Sequence, residues 1–577
     1  MKSVRFHSNP ILDVKMPAWR SRAVLFVLFL AFLALMARAL YLQGFSTDFL
    51  QTQGGLRYAR TLEMPATRGK IVDRNGVVLA SSVPASAVWA IPDEIDASSD
   101  QLAQLAKLLG LPLGELKKKL SLDRNFVYLK RQVPQAVANK ITQMKLAGIY
   151  QRAEYLRSYP EGEAMAHLVG FTNVEDVGQE GIELGWQKAL AGKPGSRRVI
   201  RDRLGRVIEY IDDVREPRDG ADLSLSIDGK IQYLAYSSLK AALATHKAKA
   251  GAIVVLDVHT GEVLALANLP TYNPNDRSRL TGAALRNRVL TDTYEPGSTL
   301  KPFTIALALD KGVVKPESVI DTAPGKLTIG NRTISDSHAH GPLNIEEIIK
   351  VSSNIGTAKI AMKMQPHDMW DMYTSVGLGQ TPKLGFPGAV AGRLRPYKSW
   401  RPIEQATMSY GYGISVSLIQ IARAYTIFAR NGDMIPLTFF KTNGEPADGV
   451  RVVSPRTAGQ MRRMLEMAAG PGGTAPKAQV LGYRVAGKTG TAHKIAGRGY
   501  AGKKYVASFV GFAPASNPRV VVAVMIDEPS NHIYYGGDVA APVFSAVVGG
   551  TLRALGVEPD APFTSLIIPD EAVKEVF

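Results

Sequence analysis

The sequence predicts an α+β protein, in which a large domain of helices packed on an antiparallel sheet follows a mixed module and one membrane-spanning helix. Three observations predict this. An apolar run long enough to cross a bilayer stands near the start. Two apolar hairpins bracket the C-terminal half with helical patterns between them, the segregated order of an α+β layer architecture. Before the first hairpin lies a long polar, basic stretch in which strand and helix patterns mix. At 577 residues and 46% hydrophobic content the chain is too long for one compact domain and can bury a large core.

Residues 1–22 read as a cytoplasmic tail, because Lys2, Arg5, Lys15, Arg20 and Arg22 stand against the single acid Asp13. Residues 23–42 are the membrane helix: 23–37 are unbroken apolar, and the run resumes after Arg38. A cleaved signal peptide fits less well, since the stretch is long for one and an arginine closes it. Everything beyond Gln43 is then outside the cytoplasm. Residues 44–220 form the mixed module, with a β-like run at 87–91 and an amphipathic helix at 101–109. Residues 221–560 form the large domain, and 561–577 a C-terminal tail. Within the large domain, 231–243 is apolar at helical spacing. Residues 252–256 and 263–267 flank a turn at His259, Thr260 and Gly261, helices are expected at 299–309 and 418–429, and 505–512 and 520–526 make the second hairpin.

Zero cysteines exclude disulfides, thiolate catalysis and thiolate metal sites. A net charge of +18 raises nucleic acid as a partner, but the basic residues are scattered and no nucleic-acid-binding motif accompanies them. Anionic head groups or an anionic wall polymer suit an exported basic chain better.

The chemistry concentrates in three short motifs. Ser298, Thr299, Leu300, Lys301 leads into an apolar helical run; at i and i+3 serine and lysine face the same way. A serine hydroxyl is a weak nucleophile, and a desolvated lysine amine is a base able to take its proton. Alone this motif is weak evidence, and the chain holds a decoy: Ser237, Ser238, Leu239, Lys240 has the same spacing inside an amphipathic helix and reads as a solvated face. Ser298 differs in its company. Ser352, Ser353, Asn354 follows 54 residues later, and Lys488, Thr489, Gly490, Thr491 much further on. The set S-x-x-K, S-x-N-like and K-T-G in that order is far more specific than any member. Ser352 offers a proton-relaying hydroxyl and Asn354 a donor and an acceptor for a peptide amide. Lys488 adds positive charge. Thr489 and Thr491 share one strand face, where two hydroxyls grip a substrate carboxylate, and Gly490 admits a second backbone. In isolation Ser352 and Asn354 would read as helix caps. His338 and His340 form an H-x-H pair with no third ligand at a suggestive spacing, so they read as surface loop; no metal and no cofactor are called for.

At these residues the sequence resembles the class B penicillin-binding proteins, and most closely their cell-division members. Residues 68–76, from Arg68 to Gly76, look like the R-G-x-I-x-D-R-N-G motif that opens the family's elongated, dimerisation-like pedestal. Arg157, Tyr159 and Pro160 with residues 167–171 look like a second pedestal motif, 178–183 like a third, and Gly411, Tyr412, Gly413 and residues 534–544 like segments of the transpeptidase domain. The resemblance implies a penicillin-recognising fold and acyl transfer through Ser298. The donor is a peptidoglycan stem peptide ending in D-Ala-D-Ala, the acceptor a neighbouring stem's amine, and β-lactams are covalent inhibitors. It implies Lys301, Ser352, Asn354 and Lys488 as catalytic and Thr489, Gly490 and Thr491 as substrate-binding. It further implies a single-pass inner-membrane protein with a periplasmic catalytic domain at the septum, working beside division proteins that include a polytopic glycosyltransferase. Elongation-type members usually carry aspartate where this chain has Asn354, and division-type members often carry serine where it has Thr489. No glutamate after Asn354 is followed four residues later by asparagine, which disfavours a β-lactamase. Keeping all three motifs disfavours a division scaffold with little catalysis.

Overall fold

The computed structural model describes residues 17–47, 49, 59–124, 126–201, 207–278, 280–496, 499–530 and 532–563. Most of both expected tails, 1–16 and 564–577, lies outside the described residues. Two compact units are present. The first comprises Met1–Ala66 and Lys193–Arg218, the second Thr67–Gly192 and Asp219–Phe577.

In the first unit the apolar run forms the helix Ala18–Leu40, continued by a wider turn over Tyr41–Phe45. At about 1.5 Å per residue the helix is about 35 Å long, enough for a hydrocarbon layer of about 30 Å. None of its side chains is buried, so it is not a core helix. Among the described residues it is the one helix long and apolar enough to span a membrane. The unit also holds an antiparallel sheet in the order Ala59–Met64, Gly195–Arg201, Val207–Arg215.

The second unit is α+β, as expected. Its N-terminal part centres on the strand Val78–Ala90, paired antiparallel with Val127–Pro134 and Ile149–Ser158. The amphipathic stretch expected at 101–109 is the helix Ser99–Leu109. Ser98 caps it in a reciprocal box with Gln101, and Gly110 closes it at a φ of 63° that favours glycine. Leu105, Ala106 and Leu109 bury its apolar face against Val88, Ala90, Leu129 and Ile141. The three segments flagged in this part converge. Glu183 accepts from Arg68 Nε at 2.5 Å and from Arg157 Nε at 2.7 Å, and Arg157 also donates to the carbonyl of Gly69 at 2.7 Å. All three side chains are almost wholly excluded from solvent.

The remainder is built on a five-stranded antiparallel sheet, ordered Val263–Leu269, Ala250–Asp257, Val520–Asp527, Gly499–Ala513, Ala486–Ala496. Both hairpins expected from sequence are in it. Every residue of Ala250–Asp257 is buried, because helices cover both faces. Ile253 and Val255 pack with the helices Gly229–His246 and Ala541–Ala554; Ala252, Val254 and Leu256 face Phe303, Ile421 and Phe428 on the other side. The decoy lies on Gly229–His246. There Leu239 is buried, Lys240 is exposed with its ammonium on Tyr236 Oη at 3.1 Å, and the Ser237 hydroxyl bonds the Leu234 carbonyl.

Candidate active site

Ser298 lies on a single tight 3₁₀ turn, Gly297–Leu300, which runs into the α-helix Lys301–Asp310. The expected helix at 299–309 therefore begins two residues late. The tighter turn still sets Ser298 and Lys301 on one side, since i and i+3 eclipse in a 3₁₀ turn. Pro302 occupies the first helical turn, where its missing N–H costs nothing. Ser298 keeps 9% of its surface and Lys301 none.

A buried lysine nitrogen needs partners. Lys301 Nζ donates to the Ser352 hydroxyl at 3.0 Å and to the Ser352 carbonyl. Ser352 sits at a φ of 64°, the left-handed region that a serine seldom occupies, and this turns its carbonyl and hydroxyl together toward the lysine. The segment is fixed from behind by Asp336. One of its oxygens accepts the backbone N–H of Asn354 at 2.6 Å and of Ile355 at 3.0 Å, the other the Ser353 hydroxyl at 2.5 Å. Ser353, not Ser352 or Asn354, caps the helix Asn354–Ala361, accepting from the Gly356 N–H at 2.9 Å.

The third motif arrives on the strand Ala486–Ala496. Lys488 is buried, its ammonium 3.1 Å from the Thr489 hydroxyl and 3.5 Å from that of Thr474. Thr489 pairs with Thr474 at 2.8 Å, and the Thr491 hydroxyl accepts the Gly536 N–H at 2.9 Å. A Cβ on Gly490 would lie 2.7 Å from the Pro296 carbonyl oxygen and 2.9 Å from Thr299 Cγ2, so the strand presses directly on the Ser298 turn. Gly411 closes the same turn from another side: at a φ of 94° it accepts from the Gly297 N–H at 3.3 Å, and a Cβ there would be 2.1 Å from the Gly297 oxygen. Glu295 accepts the Gly413 N–H at 2.7 Å, and Tyr425 donates to the Thr299 carbonyl at 2.8 Å.

All three sequence motifs thus meet at one turn, and the decoy does not. Sequence reasoning missed Asp336 and Thr474. Neither falls in a recognisable pattern, and their positions follow only from tertiary packing. His338 is exposed and His340 half-buried in a loop.

Residues 251–549 match the penicillin-binding protein transpeptidase domain and residues 63–225 the penicillin-binding protein dimerisation domain. The chain is 43% identical over 564 residues to the probable peptidoglycan D,D-transpeptidase PenA of Neisseria gonorrhoeae, covering 96% of this chain and 97% of that protein. It is 42% identical to the peptidoglycan D,D-transpeptidase FtsI of Escherichia coli K12, covering 94% and 93%. The apo structure of the transpeptidase domain of Burkholderia pseudomallei penicillin-binding protein 3 is 56% identical, with a TM-score of 0.55, and the match covers 59% of this chain and 98% of that one. With both domains and near full-length relatives matched, the chain belongs to the class B penicillin-binding protein family.

Proposed function

We propose that the protein is a serine D,D-transpeptidase that cross-links peptidoglycan stem peptides of the septal wall, with Ser298 as nucleophile. The observation that carries this reading is the buried Lys301, lodged one turn from Ser298 with its side-chain nitrogen on Ser352, where desolvation favours the neutral amine that can act as a base. Ser298 Oγ attacks the penultimate D-Ala carbonyl. Lys301 takes the hydroxyl proton, and a tetrahedral oxyanion forms against backbone N–H groups at the start of the turn. Ser352, held to Lys301, returns a proton to the leaving nitrogen as the C–N bond breaks and terminal D-Ala departs. An amine of a neighbouring stem then attacks the ester. The ester C–O bond breaks, the amine's proton returns to Ser298, and an amide cross-link remains. Asn354 holds the donor amide, and the Thr489 and Thr491 hydroxyls take its terminal carboxylate under the charge of Lys488. β-Lactams acylate the same serine.

Residues 44–220 serve as pedestal and 221–560 as the catalytic domain of a single-pass inner-membrane protein, with the catalytic part in the periplasm. Similarity to the transpeptidase FtsI and the asparagine at position 354 support a place at the division septum. Division proteins, including a polytopic glycosyltransferase, are its partners there.

Mass spectrometry of the full-length protein in detergent after exposure to benzylpenicillin tests the reading. One stable adduct is expected in wild type and in Ser237→Ala, and none in Ser298→Ala. An adduct that persists in Ser298→Ala, or none in wild type, sinks it.

A further inference from the structure

A cleft of about 790 Å³ opens beside Asn354. One wall is the strand Arg332–Ser335, another the chain around Arg395, Arg401 and Glu404, and Tyr410 and Tyr412 supply aromatic surface. Glu295, three residues before Ser298, and Asn354 both line it, so it lies next to the Ser298 turn.

Its fixed charge is unbalanced. Three guanidiniums, of Arg332, Arg395 and Arg401, face two carboxylates, of Glu295 and Glu404. Glu404 is already divided between two cations: Arg395 lies 2.9 Å from its Oε1 and Arg401 3.3 Å from its Oε2, while the Arg401 N–H donates to it at 2.8 Å. Burial alone would raise the Glu404 carboxyl, but the hydrogen bonds from Arg401 and Arg395 hold it down at about 2. Glu295 accepts the Gly413 N–H. Among the described residues no carboxylate pairs with Arg332, which is exposed. A site one carboxylate short of matching three planar forks has room for an added anion, and guanidinium recognises a carboxylate through two parallel hydrogen bonds.

We propose that this cleft takes a carboxylate-bearing segment of a stem peptide upstream of the reacting D-Ala end, gripped by Arg332 and the Arg395–Arg401 pair. The proposal rests on the transpeptidase reading above. The terminal carboxylate of the donor is assigned there to Thr489 and Thr491, so the group bound in the cleft is a different one. That carboxylate belongs either to the donor stem, running past Asn354, or to the acceptor stem whose amine approaches the ester.

Full-length protein in detergent separates these sources in two arms, with benzylpenicillin labelling used to count competent sites in each preparation. In the donor arm, peptidyl-D-Ala thioesters carry an upstream glutamate carboxylate either free or amidated, and acyl-enzyme formation is followed. In the acceptor arm a benzoyl-D-Ala thioester is the fixed donor, amine-bearing tripeptides carry the free or amidated carboxylate, and the transfer product is measured. Wild type is expected to prefer the free carboxylate about tenfold in kcat/KM in one arm, the size of one charge-assisted contact, and that arm names the source. The free-to-amidated ratio should fall towards one in Arg332→Gln and in Arg401→Gln, and recover in part in Arg332→Lys. No preference in either arm, or a preference unchanged in the Arg332→Gln, Arg401→Gln double variant, overturns the subsite while leaving the transpeptidase reading intact. A wild type acylated by neither benzylpenicillin nor thioester overturns both.

Discussion

Lys301 is where stability and chemistry pull apart. A lysine nitrogen shut away from water is kept only by strong partners, here the carbonyl and hydroxyl of Ser352. Replacing a buried polar head group by an apolar one of like volume loses its hydrogen bonds but also its desolvation cost, so the two changes largely offset. Lys301→Met should therefore leave the thermal midpoint within a few degrees, while benzylpenicillin acylation falls by about 10²–10⁴-fold through loss of the proton-transferring group. Rapid labelling of a stable Lys301→Met protein would remove the lysine from the mechanism. The residues of the proposed site were legible because serine, lysine, asparagine and glycine stand at fixed short spacings in three motifs. What supports them was not. Asp336 reaches the segment after Ser352 from a separate strand end, Thr474 reaches Thr489 from another loop, and Ser352 itself stands at a positive φ. No local pattern encodes any of the three.

Elements were legible in proportion to how local their causes are. Residues 252–256 and 520–526 appeared as unbroken apolar runs bounded by turns, the mark of a strand covered on both faces. The structure accordingly places helices on both sides of the sheet, where the sequence order foretold only that helices and sheet would pack. The turn at Ser298 was expected as the first turn of an α-helix and is 3₁₀, because Gly490 and Gly411 crowd it from two directions. Gly490 is the sharper constraint. A methyl there would sit 2.5 Å from Ser508 Oγ, 2.7 Å from the Pro296 oxygen and 2.9 Å from Thr299 Cγ2. The serine hydroxyl can rotate away, but the Pro296 backbone cannot move without carrying Ser298 with it. Gly490→Ala should cost about 1–3 kcal/mol by overpacking and slow acylation more than its loss of stability explains. Chemical denaturation and penicillin labelling on the same preparation check this, and an unslowed variant would show that the strand and the turn are not in register for catalysis.

At the scale of the second unit, the part from Thr67 to Gly192 is tied to the part that carries Ser298 through buried polar contacts. His167 Nε2 donates to the Ala284 carbonyl at 2.6 Å, Tyr272 donates to the Ala166 carbonyl at 2.9 Å, and Asn275 exchanges hydrogen bonds with the backbone of Tyr159. The histidine in this seam is His167. Burial, helped by nearby Arg288 and opposed by the Ala284 carbonyl, holds its imidazole at about 4 against an ordinary value near 6.5. Above pH of about 6.5 the ring is neutral folded or unfolded, and the seam is at full strength. Between about 6.5 and 4 the unfolded chain binds a proton that the folded one refuses, so stability falls with pH; below about 4 both states are protonated and the loss levels off. His167→Gln keeps a donor for Ala284 but carries no titrating group. Its thermal midpoint is expected to start below that of wild type at pH 7.5, from imperfect packing, and to decline less steeply down to pH 4, so that the two curves converge. Parallel curves would place the acid sensitivity elsewhere. Convergence together with a parallel loss of penicillin labelling in wild type would show that opening this seam releases the Ser298 turn as well, making the two parts one cooperative body.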